Sequence, residues 1–144
     1  MIVQSFNPEH YALTTAMTPD HQLFFEKEKE QRGQLGYPPF SHLACLRLLG
    51  NNKKKTAHVA KRLSLGIQRT LGTWPKRGKE IQILGPVEAP ISKLKGKNRW
   101  QILVKSQSTS LLHHLLDEVD KSSKKDLKSS GVHLTIDVDP YQMT

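Results

Sequence analysis

The apolar and polar positions of the chain follow two repeats, one typical of strands and one typical of helices. In one predicted strand every second side chain is apolar, so that Trp100, Ile102 and Val104 share a face. Residues 54–71 and 112–119 instead carry apolar side chains at helical spacing. In the larger, C-terminal part of the chain these repeats predict the order β-α-β-β-β-α-β. We therefore expect an α+β fold, a split β-α-β domain with one mixed sheet and two helices packed on one face.

The first part of the chain is organised differently. Residues 2–6 predict a short strand, and two helices follow, one at residues 9–17 and one from the N-cap candidate Asp20 to about residue 34. A strand that opens a chain without a neighbouring partner strand looks like a piece of a longer structure. The Pro38-Pro39 pair then fixes an extended elbow, where we place a domain boundary.

The charge of the chain favours an anionic partner. Lysine and arginine number 22 against 13 aspartates and glutamates, which gives a formal net charge of +9 in 144 residues. A basic chain of this size suits nucleic acid or an acidic protein tail, and charge alone does not choose between them. The single cysteine, Cys45, excludes an internal disulfide, and we expect it to be buried because it lies in an apolar run.

The sequence contains no signal for secretion or for a membrane. Its N-terminal residues lack the pattern of a signal peptide, and no apolar stretch approaches membrane-spanning length. We therefore expect a cytoplasmic location and no membrane partner. We also expect a monomer.

A predicted β-hairpin concentrates positive charge at its tip. Its turn is centred on residues 96–98, and Glu88 is the acidic residue nearest to it in the sequence. A structured element that projects cations suits phosphate, but lysines that only protect a solvated sheet edge would give the same pattern. Both alternatives stay open at this point. The four cations of the tip are Lys93, Lys95, Lys97 and Arg99.

A second basic segment surrounds Trp74. An aromatic side chain interleaved with cations is typical of surfaces that bind single-stranded nucleic acid, although a lone tryptophan is more often a packing residue. The cations near this tryptophan in the sequence are Arg69, Lys76, Arg77 and Lys79.

Motifs of common catalytic sites are absent from the sequence. It contains no GxxxxGK phosphate loop, no dinucleotide fingerprint and no HExxH. The His113-His114 pair makes a poor metal site because neighbouring helical residues point about 100° apart. Asp137 and Asp139 share a predicted strand face, as the carboxylates of a nuclease would, but no third ligand is evident. We therefore predict no catalytic residue, no metal and no cofactor in this chain.

Three separated motifs resemble those of a known family. The runs QLGYPPFSHLACLRLLG and ILGPVEAPISKLKGKNRWQILVKS and the terminal IDVDP are similar, in order and spacing, to the C-terminal domain of the primosomal protein N prime family of bacterial replication-restart helicases. The preceding IVQSFNPEHYALTTAM resembles the end of the second helicase lobe of that family. The resemblance implies that residues 1–36 are the tail of this lobe with a connector helix. It implies that residues 37–144 are the C-terminal domain that binds DNA and partners.

The resemblance also implies a function for the whole protein. Members of the family are ATP-dependent DNA helicases that translocate 3′ to 5′ and restart replication forks, with ATP, magnesium and zinc bound in other parts of the protein. Their C-terminal domain binds branched DNA and forms part of the groove for the acidic tail of the single-stranded-DNA-binding protein; other primosome proteins are further partners. In relatives an arginine in the first turn of the last helix often pairs with this tail. Here Thr109 occupies that position, and His113 follows one turn later.

The leading hypothesis is a noncatalytic domain of a replication-restart helicase that binds forked or single-stranded DNA. A free-standing RNA- or ribosome-binding protein is the main alternative, since a small basic split β-α-β domain suits folded RNA equally well. A nuclease that uses Asp137 and Asp139 is the third, and it would need a divalent-ion site that the sequence does not complete. The residues predicted to contact DNA are Lys93, Lys95, Lys97, Arg99 and Trp100.

Overall fold

The protein forms two compact units, Met1–Phe40 and Ser41–Thr144. The structure, a computed structural model, describes residues 3–17, 21–74 and 77–140. The units change just after the Pro38-Pro39 pair, where the sequence placed a domain boundary, and a few residues after the boundary between residues 36 and 37 that the resemblance implies. The assignment of the two parts to a helicase lobe and to a binding domain stays a prediction.

Two helices, α1 (Tyr11–Ala16) and α2 (His21–Leu35), make up the regular structure described in the first unit. The Tyr11 hydroxyl donates a hydrogen bond to the Glu28 carboxylate, which also accepts one from Arg32 Nε at 2.7 Å. Because Glu28 and Arg32 lie one turn apart on α2, the carboxylate joins this helix to α1.

The predicted opening strand does not form. Residues 3–6 have no regular structure, and no partner strand lies in the described part of this unit, so the backbone has no neighbour to bond. Residue 2 and the N-cap candidate Asp20 lie outside the described residues.

The second unit has the predicted α+β class, which is confirmed. Within the described residues it contains four strands, two long helices and a short 3-10 helix at Arg77–Glu80. In chain order the elements are β1 (His42–Gly50), α3 (Lys53–Gly72), β2 (Ile81–Leu94), β3 (Lys97–Ser106), α4 (Thr109–Ser130) and β4 (His133–Val138).

The strands form one sheet in the order β2-β3-β1-β4, and every described strand pair is antiparallel. The prediction of a mixed sheet is therefore wrong. Because β3 lies between β1 and β2, the two strands that α3 connects do not pair with each other. At the centre of the sheet, Leu46 lies opposite Ile102 of β3 and Ile136 of β4.

Residues 81–94 form one strand where the sequence predicted two. The pairing of β2 with β3 shifts register between Leu84 and Val87 and again between Glu88 and Lys93. Gly85 occupies the first irregularity with a φ of 97°. This glycine thus bends the strand without ending it, and the sheet has four strands instead of the five in the predicted order.

The hydrophobic core lies between one face of this sheet and the two long helices. Alternation places Leu46 and Leu48 of β1 and Ile102 of β3 on that face, and all three are fully buried. Each such side chain contributes about 1.5–3 kcal/mol through burial. The helices contribute Val59, Ala60, Ile67, Leu112, Leu115, Leu116 and Val119. None of the helices among the described residues is long and apolar enough to cross a bilayer.

Candidate nucleic-acid interface

The tip of the β2–β3 hairpin is a two-residue turn. Leu94 pairs with Lys97, and the two residues between them, Lys95 and Gly96, have φ values of 48° and 78°. Positive φ at both central residues is the backbone pattern of a type I′ turn, which follows the right-handed twist of the flanking strands. The predicted hairpin is present, but its turn lies slightly before residues 96–98.

The structure separates the four predicted tip cations into two groups. Lys93, Lys95 and Lys97 are exposed. Arg99 is only 8% exposed, and its Nη1 donates to the Ile91 carbonyl oxygen at 3.4 Å. The guanidinium therefore braces β2, and Arg99 does not join the exposed lysines of the tip.

Three further lysines lie beside the hairpin because β1 ends next to the start of β3. Asn98 Nδ2 donates to the carbonyl oxygens of Gly50 at 3.3 Å and Asn51 at 3.1 Å, which holds the base of the tip against the loop before α3. The side chain of Asn52 caps α3, accepting from the Lys55 N–H at 3.0 Å. The first turn of α3 therefore presents its lysines beside the hairpin. They are Lys53, Lys54 and Lys55, all exposed.

The exposed lysines of the hairpin and those of α3 meet near Asn98, and together we call them the basic patch. Glu88 of β2 forms an ion pair with Lys53 at 2.7 Å, so this carboxylate does not pair with a lysine of the tip. The lysines of α3 were not among the residues predicted to contact DNA, although three consecutive lysines before a helical stripe are a visible signal in the sequence. The basic patch consists of Lys53, Lys54, Lys55, Lys93, Lys95 and Lys97.

Both tryptophans lie against the protein interior. Trp100 is half-buried beside the core and opposite Leu48 of β1, on the sheet face that α3 and α4 cover. It does not join the exposed lysines that were predicted to share its role. Trp74 also packs on the core and stacks on His114 with 5.0 Å between ring centroids. Lys76 and the side chain of Arg77, predicted to surround Trp74, lie outside the described part of the chain.

The first turn of α4 belongs to a row of hydrogen bonds that sequence reasoning missed. Thr109 Oγ1 lies 2.8 Å from His42 Nε2, and His42 Nδ1 lies 3.4 Å from Asp139 Oδ2. The other oxygen of Asp139 accepts from the Leu43 N–H at 2.8 Å. His113 is exposed one turn after Thr109. The pairing of β1 with β4 explains this row, because it brings residue 42 beside residue 139.

The two candidate nuclease carboxylates have structural partners. Asp137 pairs with Arg47 at 2.9 Å, while Asp139 holds His42 and the start of β1. Within residues 3–17, 21–74 and 77–140, no three His, Cys, Asp or Glu side chains are grouped so that they could hold a metal ion.

The fold and the patch together define a small basic α+β domain that presents lysines at one end of its sheet. Residues 33–141 match the family described as the primosomal protein N C-terminal domain. The chain belongs to this family, as its sequence motifs indicated.

Relatives from several bacteria match almost the whole chain. The replication restart protein PriA of Bacillus subtilis (strain 168) is 27% identical over 143 residues, which cover 99% of this chain and 17% of the relative. The protein of the same name from Thermotoga maritima is 32% identical over 139 residues, covering 96% of this chain and 16% of the relative. The chain thus spans about a sixth of the length of the curated relatives it matches.

A likeness to a solved structure concerns the fold alone. The de novo designed protein Foldit4 is similar with a TM-score of 0.50 and 13% identity, over 71% of this chain and 99% of the designed one. At this identity the likeness carries no information about function.

Proposed function

We propose that this chain acts in replication restart as a DNA- and partner-binding domain of a helicase, and that its basic patch contacts DNA phosphates. The observation that carries the proposal is the convergence of exposed lysines from α3 and from the β2–β3 hairpin. Segments about forty residues apart in the sequence meet at Asn98, which bonds to Gly50 and Asn51. Clustered lysines bind the phosphate backbone by releasing its counterions, whatever the base sequence.

Membership of the family supports the replication-restart role, since its members include proteins named for that process. For the whole protein we propose an ATP-dependent DNA helicase that translocates 3′ to 5′, with ATP, magnesium and zinc bound elsewhere. The sequence of this chain contains no phosphate loop. A purified sample should therefore show no DNA-stimulated ATP hydrolysis, and hydrolysis that persists after removal of contaminating enzymes would contradict this part of the proposal.

A fluorescence titration with three nucleic acids tests the main proposal. Labelled forked DNA, duplex DNA and an RNA hairpin of matched length should separate the alternatives. Forked DNA should bind at least as tightly as the duplex, and the RNA hairpin should bind more weakly. Clear preference for the RNA hairpin would favour the RNA-binding alternative and would overturn the assignment to DNA.

We also propose that the first turn of α4 binds the acidic tail of the single-stranded-DNA-binding protein. The support is the exposed pair Thr109 and His113, together with the imidazole of His42 beside the Thr109 hydroxyl. An arginine at the first position can form a charge-assisted hydrogen bond to a carboxylate. Thr109→Arg should therefore tighten binding of a tail peptide about tenfold. Unchanged affinity, with a folded variant, would argue that the tail binds elsewhere.

A further inference from the structure

A groove of about 360 Å³ lies between α3 and α4. Ligand-binding pockets span about 300–1,000 Å³, so this groove, which we call the helical groove, is at the lower end of that range. Gly66 lines it, and nothing lies within 4 Å of a Cβ atom added there. Because packing does not require a glycine at this helical position, its effect is to leave the groove open. The apolar lining residues are Val59, Leu63, Leu65, Ile67, Val119 and Leu127.

The helical groove also contains a buried hydroxyl without a partner. Ser123 lines the groove and is 7% exposed, and its Oγ has no hydrogen bond within the described residues. A buried polar group without a partner is unfavourable, so a ligand that supplies one gains from the contact. This hydroxyl points to a ligand with a polar group next to an apolar one.

The charges around the helical groove favour an acidic ligand. Arg62 and Asp126 form an ion pair across it and offset each other. Arg69 lines the same groove two turns after Arg62 and has no ion pair in the described ranges. The sequence of α3 contains six lysines and arginines and no acidic residue. The resulting field attracts anions.

The lining distinguishes a peptide from a nucleic-acid base. None of the described lining residues is aromatic, so the groove offers no ring on which a base could stack. Its aliphatic walls suit an aliphatic side chain, which gains mainly from burial. We propose that the helical groove binds an acidic peptide segment through one aliphatic anchor side chain, with Ser123 bonding to the peptide backbone and Arg69 pairing with a carboxylate.

This site is separate from the first turn of α4. Val119 follows Thr109 by ten residues, which is about 15 Å along the helix axis. The inference therefore does not depend on the partner tail proposed for Thr109 and His113, and each site can fail without the other.

Fluorescence anisotropy with two probes tests the inference on the whole chain. One probe is a fluorescein-labelled polyglutamate peptide with a single central leucine, and the other carries alanine in place of that leucine. Both bind basic surfaces through charge, but only the leucine can enter the helical groove. The leucine peptide should bind about tenfold or more tightly. Equal affinities, or no binding of either peptide, would overturn the inference.

Two matched glycine variants locate the leucine preference. Gly66→Leu should fill the groove and abolish the preference. Gly72→Leu should retain it, since Gly72 lies on the same helix, also has open space at an added Cβ, and does not line the groove. A preference that survives in Gly66→Leu would place the peptide elsewhere. Loss of oligothymidylate binding in Gly66→Leu, with peptide binding unchanged, would identify a nucleic-acid site and also overturn the inference.

Further variants test the two polar contacts and guard against misfolding. Ser123→Ala removes an unpaired hydroxyl and should leave the circular dichroism unchanged while weakening the leucine peptide about threefold. Arg69→Gln should weaken both peptides more than Lys121→Gln, the control for an exposed cation outside the groove. If neither Ser123→Ala nor Arg69→Gln alters affinity, the groove does not bind the peptide.

Discussion

Replacing Lys95 and Lys97 by alanine removes two exposed cations from the basic patch. Both residues lie at or beside the hairpin turn, and neither forms an ion pair within the described residues. Exposed substitutions of this kind change stability by about 0.5 kcal/mol or less each. The variant should therefore fold and should differ from the wild type only in its binding of phosphate.

The expected slope of log K against log salt follows from the number of patch lysines that can contact phosphate. Lys53 pairs with Glu88, which leaves five lysines of the patch without an ion pair in the described part of the chain. If all five contact duplex phosphates, log K falls against log salt with a slope of about −4.5. Removing two contacts reduces the slope to about −2.7. Between about 50 and 200 mM salt, binding should weaken about 500-fold in the wild type and about 40-fold in the variant.

The assay is a salt titration of fluorescence anisotropy with labelled forked DNA. Its matched control is the double variant Lys121→Ala and Lys125→Ala, which removes the same charge from exposed positions of α4 outside the patch. Only the hairpin variant should show a less negative slope of log K against log salt. Its affinity should fall for every DNA sequence alike. An equal decrease of slope and affinity in both double variants would show that binding depends on the overall charge of the chain. Unchanged slope in the hairpin variant would assign these lysines to protection of the sheet edge.

Three other predictions concern stability and reactivity. The hydrogen bond from Tyr11 lowers the pKa of Glu28 below 4.5, and the same bond raises the pKa of Tyr11 above 10.0. The bond therefore contributes its full stability between those two pH values. This stability is lost as the pH falls through the folded-state pKa of Glu28 or rises through that of Tyr11. Circular dichroism should show loss of helix outside this pH window. The Tyr11→Phe variant should lose less helix than the wild type at alkaline pH. Burial raises the pKa of the Cys45 thiol, which is 0% exposed. Mass spectrometry should therefore show that iodoacetamide modifies Cys45 at least about a hundredfold more slowly in the folded protein than in denaturant. Gly50→Ala should cost about 1–3 kcal/mol in urea unfolding because its Cβ would overlap the buried Thr56 hydroxyl; a loss below about 0.5 kcal/mol would mean that the start of α3 adjusts.

The class of the fold, most of its elements and the family were predictable from the sequence. The apolar stripe over residues 54–71 predicted α3 almost to the residue, because spacing along a chain reports which side chains are buried. The stripe over residues 112–119 predicted only the first part of α4, which continues to Ser130 through a polar segment that the sequence suggested was a loop. Three motifs identified the family, which the match over residues 33–141 confirms. The hairpin was also predictable, since glycine between two strand patterns favours a tight turn. The prediction of an opening strand was wrong because residues 3–6 have no partner strand in the described part of their unit.

The pairing of the strands and the grouping of distant charges depend on the tertiary structure. The apolar run of β1 indicates a buried strand, but it does not say whether the neighbour is β2 or β3. The observed pairing sets Gly50 opposite Asn98 and so brings Lys53 beside the hairpin. The same pairing, with the register shifts of β2, places Arg99 against Ile91 and removes it from the exposed tip. Side-chain periodicity is a local property, whereas strand order depends on long-range packing of the whole sheet against its helices.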